Sequence, residues 1–400
     1  IRSNRLIGKS KRLVNWENYI TDIDSLPKSI KDKNQKLVDY YEDQNEMIQR
    51  YINIDKFLDS GIQSLMIRHY ATDLPMIQSL SSSSKVPGNI DFESNSILGY
   101  NFEEDARIIV IAILINYFIN VLLLIGKIIV TILTSSISIM ASLVDSFLDF
   151  LSTTIIYITN KYSKTTDWNS KNKYPIGKSR LEPIGVLVFS IIIIISFVQV
   201  GHEALDNLLF NTSKIPIEIG LASVFIMSMT IIIKIGCWAW CKSIKSSSVQ
   251  ALAQDAETDV VFNVFSLIMP LLGHWWDIWW FDPACALALS LYIVISWSLT
   301  ALEHINNLAG AKADKNDVQE ILYLVLRFAD SIEKITKLNV YHVGDNLNVE
   351  VDIMLNPNFN LKDGHDIGEA VQYAVETLSN VERCFVHLDY RTGNFDGHLK

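Results

Sequence analysis

Six long apolar runs constrain this chain more than any other feature of its sequence. They lie roughly at 108–128, 131–157, 184–206, 215–238, 248–272 and 281–302. Each is close to the ~20 apolar residues that a helix needs to cross a bilayer core of about 30 Å. Runs of this length exceed those of ordinary core helices, so the sequence predicts a six-helix, all-α transmembrane bundle over 107–305.

The composition agrees with a membrane protein and excludes some classes of function. Hydrophobic residues make up 49% of the chain, and the formal net charge is -10. A nucleic-acid-binding protein would normally show a basic surface, so no nucleic-acid partner is expected.

The four cysteines follow neither a zinc-knuckle nor a disulfide spacing and are interpreted as reduced packing residues: Cys237, Cys241, Cys285 and Cys384. Cys237 and Cys241 lie one helical turn apart, which leaves a soft-metal pair open.

The regions on either side of the apolar runs are polar. Residues 1–106 include the amphipathic stretch "KLVDYYEDQNEMIQRYINIDKFL" and are predicted to form a partly helical cytosolic region. Residues 306–400 read helix, strand, strand, helix, strand, which suits a small two-layer α+β domain. Such a domain beside a membrane bundle suggests dimerisation or regulation.

Loop charges predict the orientation in the membrane. Basic residues cluster after the second and fourth runs, at Lys161, Lys164, Lys171, Lys173, Lys178, Arg180, Lys242 and Lys245. Because cytosolic loops are enriched in Lys and Arg, both termini are predicted to be cytosolic. The far side would then carry an interfacial belt of tryptophans at Trp275, Trp276, Trp279 and Trp280.

Two of the six runs carry paired aspartates. The second contains Asp145 and Asp149 in "SLVDSFLDFLS", and the fifth contains Asp255 and Asp259 in "ALAQDAETDVVFN". A spacing of four places each pair on one helical face. One charged side chain at membrane depth costs roughly 2.5 to 3.5 kcal/mol, and clustered carboxylates repel one another. These four aspartates, the quartet, therefore predict a metal site. In the alternative interpretation, each aspartate is a helix cap or an interfacial residue.

The residue types in the two aspartate pairs limit which metal ions the site is expected to bind. Oxygen ligands suit Mn²⁺, Mg²⁺ or Ca²⁺, whereas zinc sites usually include His or Cys. Neither pair contains a histidine, since Ala256 follows Asp255. Manganese, with iron as a companion, is therefore expected ahead of zinc. No resident cofactor is expected, because the metal is the transported ion.

Three amides lie near the predicted site. Asn116 and Asn120 are one turn apart on the first run and could add an amide oxygen to the metal site, or could form interhelical hydrogen bonds. Asn263, one turn beyond Asp259, has the same two interpretations.

Crowded carboxylates also suggest how transport is driven. In a low-dielectric cavity they favour protons when no metal is bound, so an arriving Mn²⁺ ion would displace protons. The hypothesis is metal export from the cytosol in exchange for H⁺, with helices rocking to alternate access.

At these residues the chain resembles the cation diffusion facilitator family, and within it the manganese-transporting branch. The resemblance covers about residues 100–391 and includes both D-x-x-x-D pairs, "YPIGKSRLEPIG" and "VERCFVHLDY". It implies six spans, a cytosolic ferredoxin-like C-terminal domain, a homodimer formed through the C-terminal and transmembrane domains, and antiport against protons. Zinc-transporting relatives carry His at the position of Asp255. The manganese branch often has His where this chain has Ala256.

The resemblance also bears on residues outside the quartet. His342, His365, His387 and Asp389 could form regulatory metal sites, although such histidines are more often surface or packing residues. Lys178, Arg180 and Glu182 could form salt bridges between spans, or the two basic residues could contact membrane lipid. An acidic endomembrane compartment, such as a vacuole, Golgi or endosome, would suit proton coupling.

Three other functions compete with this hypothesis. The first is a zinc, iron or broad-range transporter of the same architecture. The second, an intramembrane aspartyl protease, needs one aspartate pair and a Gly-x-Gly-Asp signature that the sequence lacks. The third is a metal sensor with the same fold that transports nothing.

Overall fold

A computed structural model describes residues 14–23, 35–60, 102–134, 137–164, 172–210, 221–276 and 280–393. The chain divides into two compact units, one of residues 103–309 and the other of the residues on either side of that segment. Helix α1 (Gln35–Asp59) precedes the membrane unit and belongs to the second unit.

The membrane unit consists of six long helices in the ranges just given. They are α2 (Phe102–Thr134), α3 (Ile137–Lys164), α4 (Leu181–Phe210), α5 (Leu221–Cys241), α6 (Ser247–Trp276) and α7 (Phe281–Leu308). Each predicted apolar run has become one helix. The two helices that carry the aspartate pairs, α3 and α6, are the least apolar of the six.

The surface of this unit is apolar, as a lipid-facing surface must be. Among the described residues, three stretches are long and apolar enough to cross a membrane, Ala106–Ile129, Leu181–Phe210 and Pro283–Leu308, and a shorter one covers Met227–Cys241. Only 22–28% of the most apolar 18-residue segment within each long stretch is buried. Of the predicted tryptophan belt, Trp275 and Trp280 are exposed, and the side chains of Trp276 and Trp279 lie outside the described residues.

Small residues allow the membrane helices to approach closely. A Cβ added at Gly185 on α4 would overlap the Thr159 side chain on α3, and one at Gly201 would lie 2.7 Å from Ser290 Oγ on α7. Because lipid gives helices no hydrophobic reason to associate, such close van der Waals packing is what holds them together. These contacts fix α4 against α3 and α7.

The second unit is a two-layer α+β structure. After the membrane helices come α8 (Lys315–Phe328), β1 (Ile332–Val343), β2 (Asn346–Leu355), α9 (Leu361–Glu376) and β3 (Val381–Asp389). The sheet order is β1-β2-β3, with β1 antiparallel and β3 parallel to β2. Gly344, at φ 77°, supplies the tight turn between β1 and β2. The Asn360 side chain accepts a hydrogen bond from the Asp363 N–H (2.7 Å) and caps α9.

Helix α1 packs into the core of this unit. Ile54 and Phe57 on α1 are fully buried in the same cluster as Phe328 and Val349. Arg327 on α8 is also buried, with Nε 2.9 Å from Asp55 Oδ1, and its Nη2 donates to Asp59 at 2.7 Å. Residues near the start of the chain thus complete the hydrophobic core of its C-terminal part.

The predicted fold class is confirmed. Apolar helices form the membrane unit, and helices with a small mixed sheet form the α+β unit expected of the ferredoxin-like domain. Of the predicted cytosolic region 1–106, residues 1–13, 24–34 and 61–101 lie outside the described residues.

Candidate metal site

Three of the four predicted aspartates come together in the membrane unit. Asp149 lies on α3, and Asp255 and Asp259 lie one turn apart on α6. One carboxylate oxygen from each lies within 4.8 Å of the others. Among the residues that the structure describes, no other set of three His, Cys, Asp or Glu side chains is this close. Their separation suits shared coordination of one small cation.

The fourth aspartate is described only by its backbone. Asp145 lies on α3, one turn before Asp149, and its side chain lies outside the described residues. The helical backbone places both residues on one side of α3.

A lysine that the sequence analysis passed over occupies the centre of the cluster. Lys234 on α5 is 96% buried, and its Nζ lies 3.4 Å from Asp149 Oδ2 and 3.5 Å from Asp255 Oδ2. It also forms an ion pair with Asp259. The signal was present, because Lys234 is the one charged residue in the apolar run "TIIIKIGCW", and charged residues at membrane depth are rare and usually functional.

The carboxylates face a small cavity between helices. Its volume is about 60 Å³, and its lining includes Asp149, Asp255, Asp259 and Thr230 beside apolar groups such as Phe197 and Phe262. A buried water needs only about 10–15 Å³ of such volume, so an ion and a few waters fit. Lys127, Ser152 and Ser196 also line the cavity, so its walls combine charged, polar and apolar groups.

The two asparagines on α2 make hydrogen bonds between helices. Asn116 donates to Cys241 Sγ on α5 at 3.1 Å, and Asn120 donates to Thr153 Oγ1 on α3 at 2.7 Å and to the Asp149 carbonyl at 3.5 Å. Asn120 therefore braces the turn of α3 that carries Asp149. Asn263 lines the cavity and donates to the Asp259 carbonyl at 2.8 Å. A ligand role for Asn116 or Asn120 stays a prediction.

Two other sequence features occupy defined positions. Cys237 and Cys241 are buried free thiols, and Cys241 accepts the hydrogen bond from Asn116. At the start of α4, Glu182 accepts a hydrogen bond from Ser246 Oγ at 3.1 Å, which joins α4 to the α5–α6 connection.

The histidines of the second unit do not belong to the carboxylate cluster. His387 Nε2 is 3.4 Å from Asp389 Oδ1, and His365 Nδ1 is 3.6 Å from Glu369 Oε2, with both histidines exposed. His365 Nδ1 also lies 3.6 Å from Asp366 Oδ1. A regulatory metal site at these histidines or at His342 stays a prediction.

Comparison with known proteins gives matches over both units. Residues 113–309 match the cation efflux transmembrane domain, and residues 313–391 match the cation efflux protein cytoplasmic domain. Metal tolerance protein 11 of Arabidopsis thaliana is 32% identical over 91% of this chain and 84% of its own length. Metal tolerance protein 3 of Oryza sativa subsp. japonica is 34% identical over 74% of each chain, and putative metal tolerance protein C3 of Arabidopsis thaliana is 36% identical over 70% and 68%.

Proposed function

This chain belongs to the cation diffusion facilitator, or cation efflux, family, and from that premise we propose that it exchanges Mn²⁺ for protons across a membrane. It is a divalent metal cation transporter and not an enzyme. Its C-terminal part matches the family's cytoplasmic domain, which points to dimerisation through that domain.

The carboxylate cluster is the observation that supports Mn²⁺ as the transported metal. Asp149, Asp255 and Asp259 offer only oxygen ligands within 4.8 Å of one another. Hard and borderline divalent cations such as Mn²⁺ prefer oxygen, whereas zinc favours sites with nitrogen or sulfur. Asp145 is proposed as a further ligand from the same face of α3. Mn²⁺ is therefore the proposed transported ion, and Fe²⁺ and Zn²⁺ are the alternative ions within the family.

Proton exchange follows from the charge of the cluster. Three carboxylates around one small cavity repel one another unless cations or protons balance them. A metal that binds supplies two positive charges and removes the need for bound protons. We expect metal leaving the cytosol and protons entering it, with the helices rocking to expose the cavity to each side in turn.

The proposed setting is an endomembrane with an acidic interior, such as a vacuole, Golgi or endosome membrane. The basic residues beside α4, including Lys173 and Lys178, support a cytosolic position for that loop and for both termini. Contacts between the transmembrane domains of two copies would add to the dimer interface of the C-terminal domains.

Manganese tolerance of cells tests this proposal. Cells that lack their own exporter should survive high Mn²⁺ when they express the intact chain, and should not when they express Asp255→Asn at an equal level. Asp206→Asn is the matched control, because Asp206 is a half-exposed carboxylate on α4 outside the cluster. Rescue by Asp255→Asn equal to that by the intact chain would contradict the proposed site.

Competition between metals tests the choice of ion. Excess Zn²⁺ should inhibit Mn²⁺ transport less than excess Mn²⁺ inhibits Zn²⁺ transport. The reverse, by a wide margin, would assign the chain to zinc. A sensor that transports nothing would move neither metal.

A further inference from the structure

We propose that Lys234 is a tethered counter-cation: its ammonium group occupies the carboxylate cluster when metal is absent and must withdraw before a divalent ion can bind. This inference rests on the proposed function, because it assigns a role within the same metal site. It makes Lys234 a residue that sets metal affinity rather than a ligand.

The position of Lys234 is the first support. Its side chain is only 4% exposed, and Nζ lies within 3.5 Å of Asp149 and Asp255 while also pairing with Asp259. An ammonium group surrounded by three carboxylates occupies the kind of position that a metal ion would take. Lys234 is therefore part of the cluster and not a neighbour of it.

Geometry makes simultaneous occupancy unfavourable. The three carboxylate oxygens lie within 4.8 Å of one another, so they enclose room for one small cation. An ammonium and a divalent ion held by the same oxygens would lie close together and repel each other. Lysine cannot donate an electron pair to the metal while it stays an ammonium, since that group has three donors and no acceptor. Metal and Lys234 therefore compete for the same carboxylates.

The structure also provides a way for Lys234 to withdraw. Lysine carries its charge on a flexible four-carbon chain, so its ammonium group can move without movement of the backbone. A shift of the side chain, or of α5 relative to α6, would clear the cluster.

Such a residue would serve a transporter in a way that a tight binding site could not. After the ion leaves, the ammonium returns and compensates carboxylates that would otherwise repel one another. The same competition weakens metal binding and so speeds release. Removing the charge should therefore tighten metal binding and slow turnover.

Mn²⁺ binding to the purified full chain tests this directly, by titration calorimetry at a single fixed pH. Lys234→Met keeps an unbranched side chain of similar length without the charge, and we expect the Mn²⁺ Kd to fall about tenfold or more. Lys234→Arg keeps a positive charge and should not tighten binding. Lys242→Met is the matched control, because Lys242 follows α5 and is exposed, with Nζ over the Trp238 ring at 5.0 Å. It should leave the Kd unchanged.

Thermal unfolding and gel filtration establish that each variant is folded, and Lys234→Gln supplies the same comparison if the Met variant is not. An unchanged or weaker Mn²⁺ affinity in folded Lys234→Met or Lys234→Gln would overturn the inference. Failure of the proposed function would look different: the unmutated chain would bind no Mn²⁺, or Asp255→Asn would bind it equally well.

Discussion

Asp149 on α3 and Asp259 on α6 bring carboxylate oxygens within 4.8 Å of each other, although the two residues lie on separate membrane helices. Close like charges in an apolar setting are unfavourable unless a cation is shared. A cation bound between these two carboxylates therefore holds α3 close to α6.

Removing one carboxylate should abolish transport. Asp259→Asn keeps the size of the side chain but removes a negative charge and one strong ligand, so we expect the initial rate of Mn²⁺ uptake to fall about a hundredfold or more. Uptake into vesicles that contain equal amounts of protein measures the effect. Asp206→Asn, outside the cluster, should keep the normal rate, and a normal rate for Asp259→Asn would contradict the assignment.

A histidine at position 255 should shift selectivity toward zinc. Asp255→His replaces an oxygen ligand by an imidazole nitrogen, which zinc accepts more readily than manganese does. We expect the ratio of Zn²⁺ to Mn²⁺ transport to rise about tenfold. Parallel uptake of the two ions by the variant and the unmutated chain gives this ratio, and an unchanged ratio would show that position 255 does not select the metal.

The buried pairing between α1 and α8 should be essential for the stability of the second unit. The side chain of Arg327 is only 1% exposed, and it forms ion pairs with Asp55 and Asp59 on α1. Arg327→Met leaves these carboxylates without that partner, so we expect a loss of about 3–5 kcal/mol in the free energy of unfolding. Lys56→Met, at an exposed position of α1, is the matched control and should change stability little. Chemical denaturation of the full chain measures both, and equal stability would contradict the role of the pair.

Tyr323 should make the same contact sensitive to alkaline pH. Its hydroxyl donates to Asp55 at 2.8 Å and accepts from Trp16 Nε1 at 2.7 Å. Burial, with the hydrogen bond to Asp55, raises the pKa of Tyr323 from 10.0 to about 12. A raised pKa means that the folded state holds the phenol proton more tightly. The stabilisation is therefore complete below pH 10 and is lost as the pH rises toward 12.

Tyr323→Phe tests this contribution. We expect the variant to lose about 1–3 kcal/mol of stability at neutral pH, because Asp55 and Trp16 each lose a hydrogen-bond partner. The difference in unfolding temperature between the two proteins should shrink above pH 10. A difference that stays constant through that range would show that the phenol does not titrate with unfolding.

Close packing of α3 and α4 should tolerate no side chain at Gly185. An added Cβ would lie 2.8 Å from Thr159 Cβ, so Gly185→Ala should destabilise the membrane unit by about 1–3 kcal/mol. Gly126→Ala on α2 is the matched control, since no atom lies within 4 Å of a Cβ there. Thermal unfolding in detergent compares them, and equal unfolding temperatures would contradict the packing argument.

Part of this structure follows from local sequence and part does not. The lengths of the apolar runs predict the membrane helices, and the spacing of Asp255 and Asp259 predicts their shared face, because both depend on helical periodicity alone. The packing of α1 on α8 depends on residues such as Asp55 and Arg327 that lie far apart in the chain, and no local pattern records which of them meet. The role of Lys234 was not predicted for the same reason. The sequence around it shows one charge in an apolar run, but it does not show that this charge faces three carboxylates.

The most direct test of the central claim is simultaneous measurement of Mn²⁺ and H⁺ movement in proteoliposomes. With an acidic interior, the unmutated chain should accumulate Mn²⁺ while the interior becomes less acidic, and Asp255→Asn should do neither. Uptake of Mn²⁺ by the unmutated chain that needs no pH gradient and moves no protons would contradict the exchange of metal for protons at the aspartate cluster.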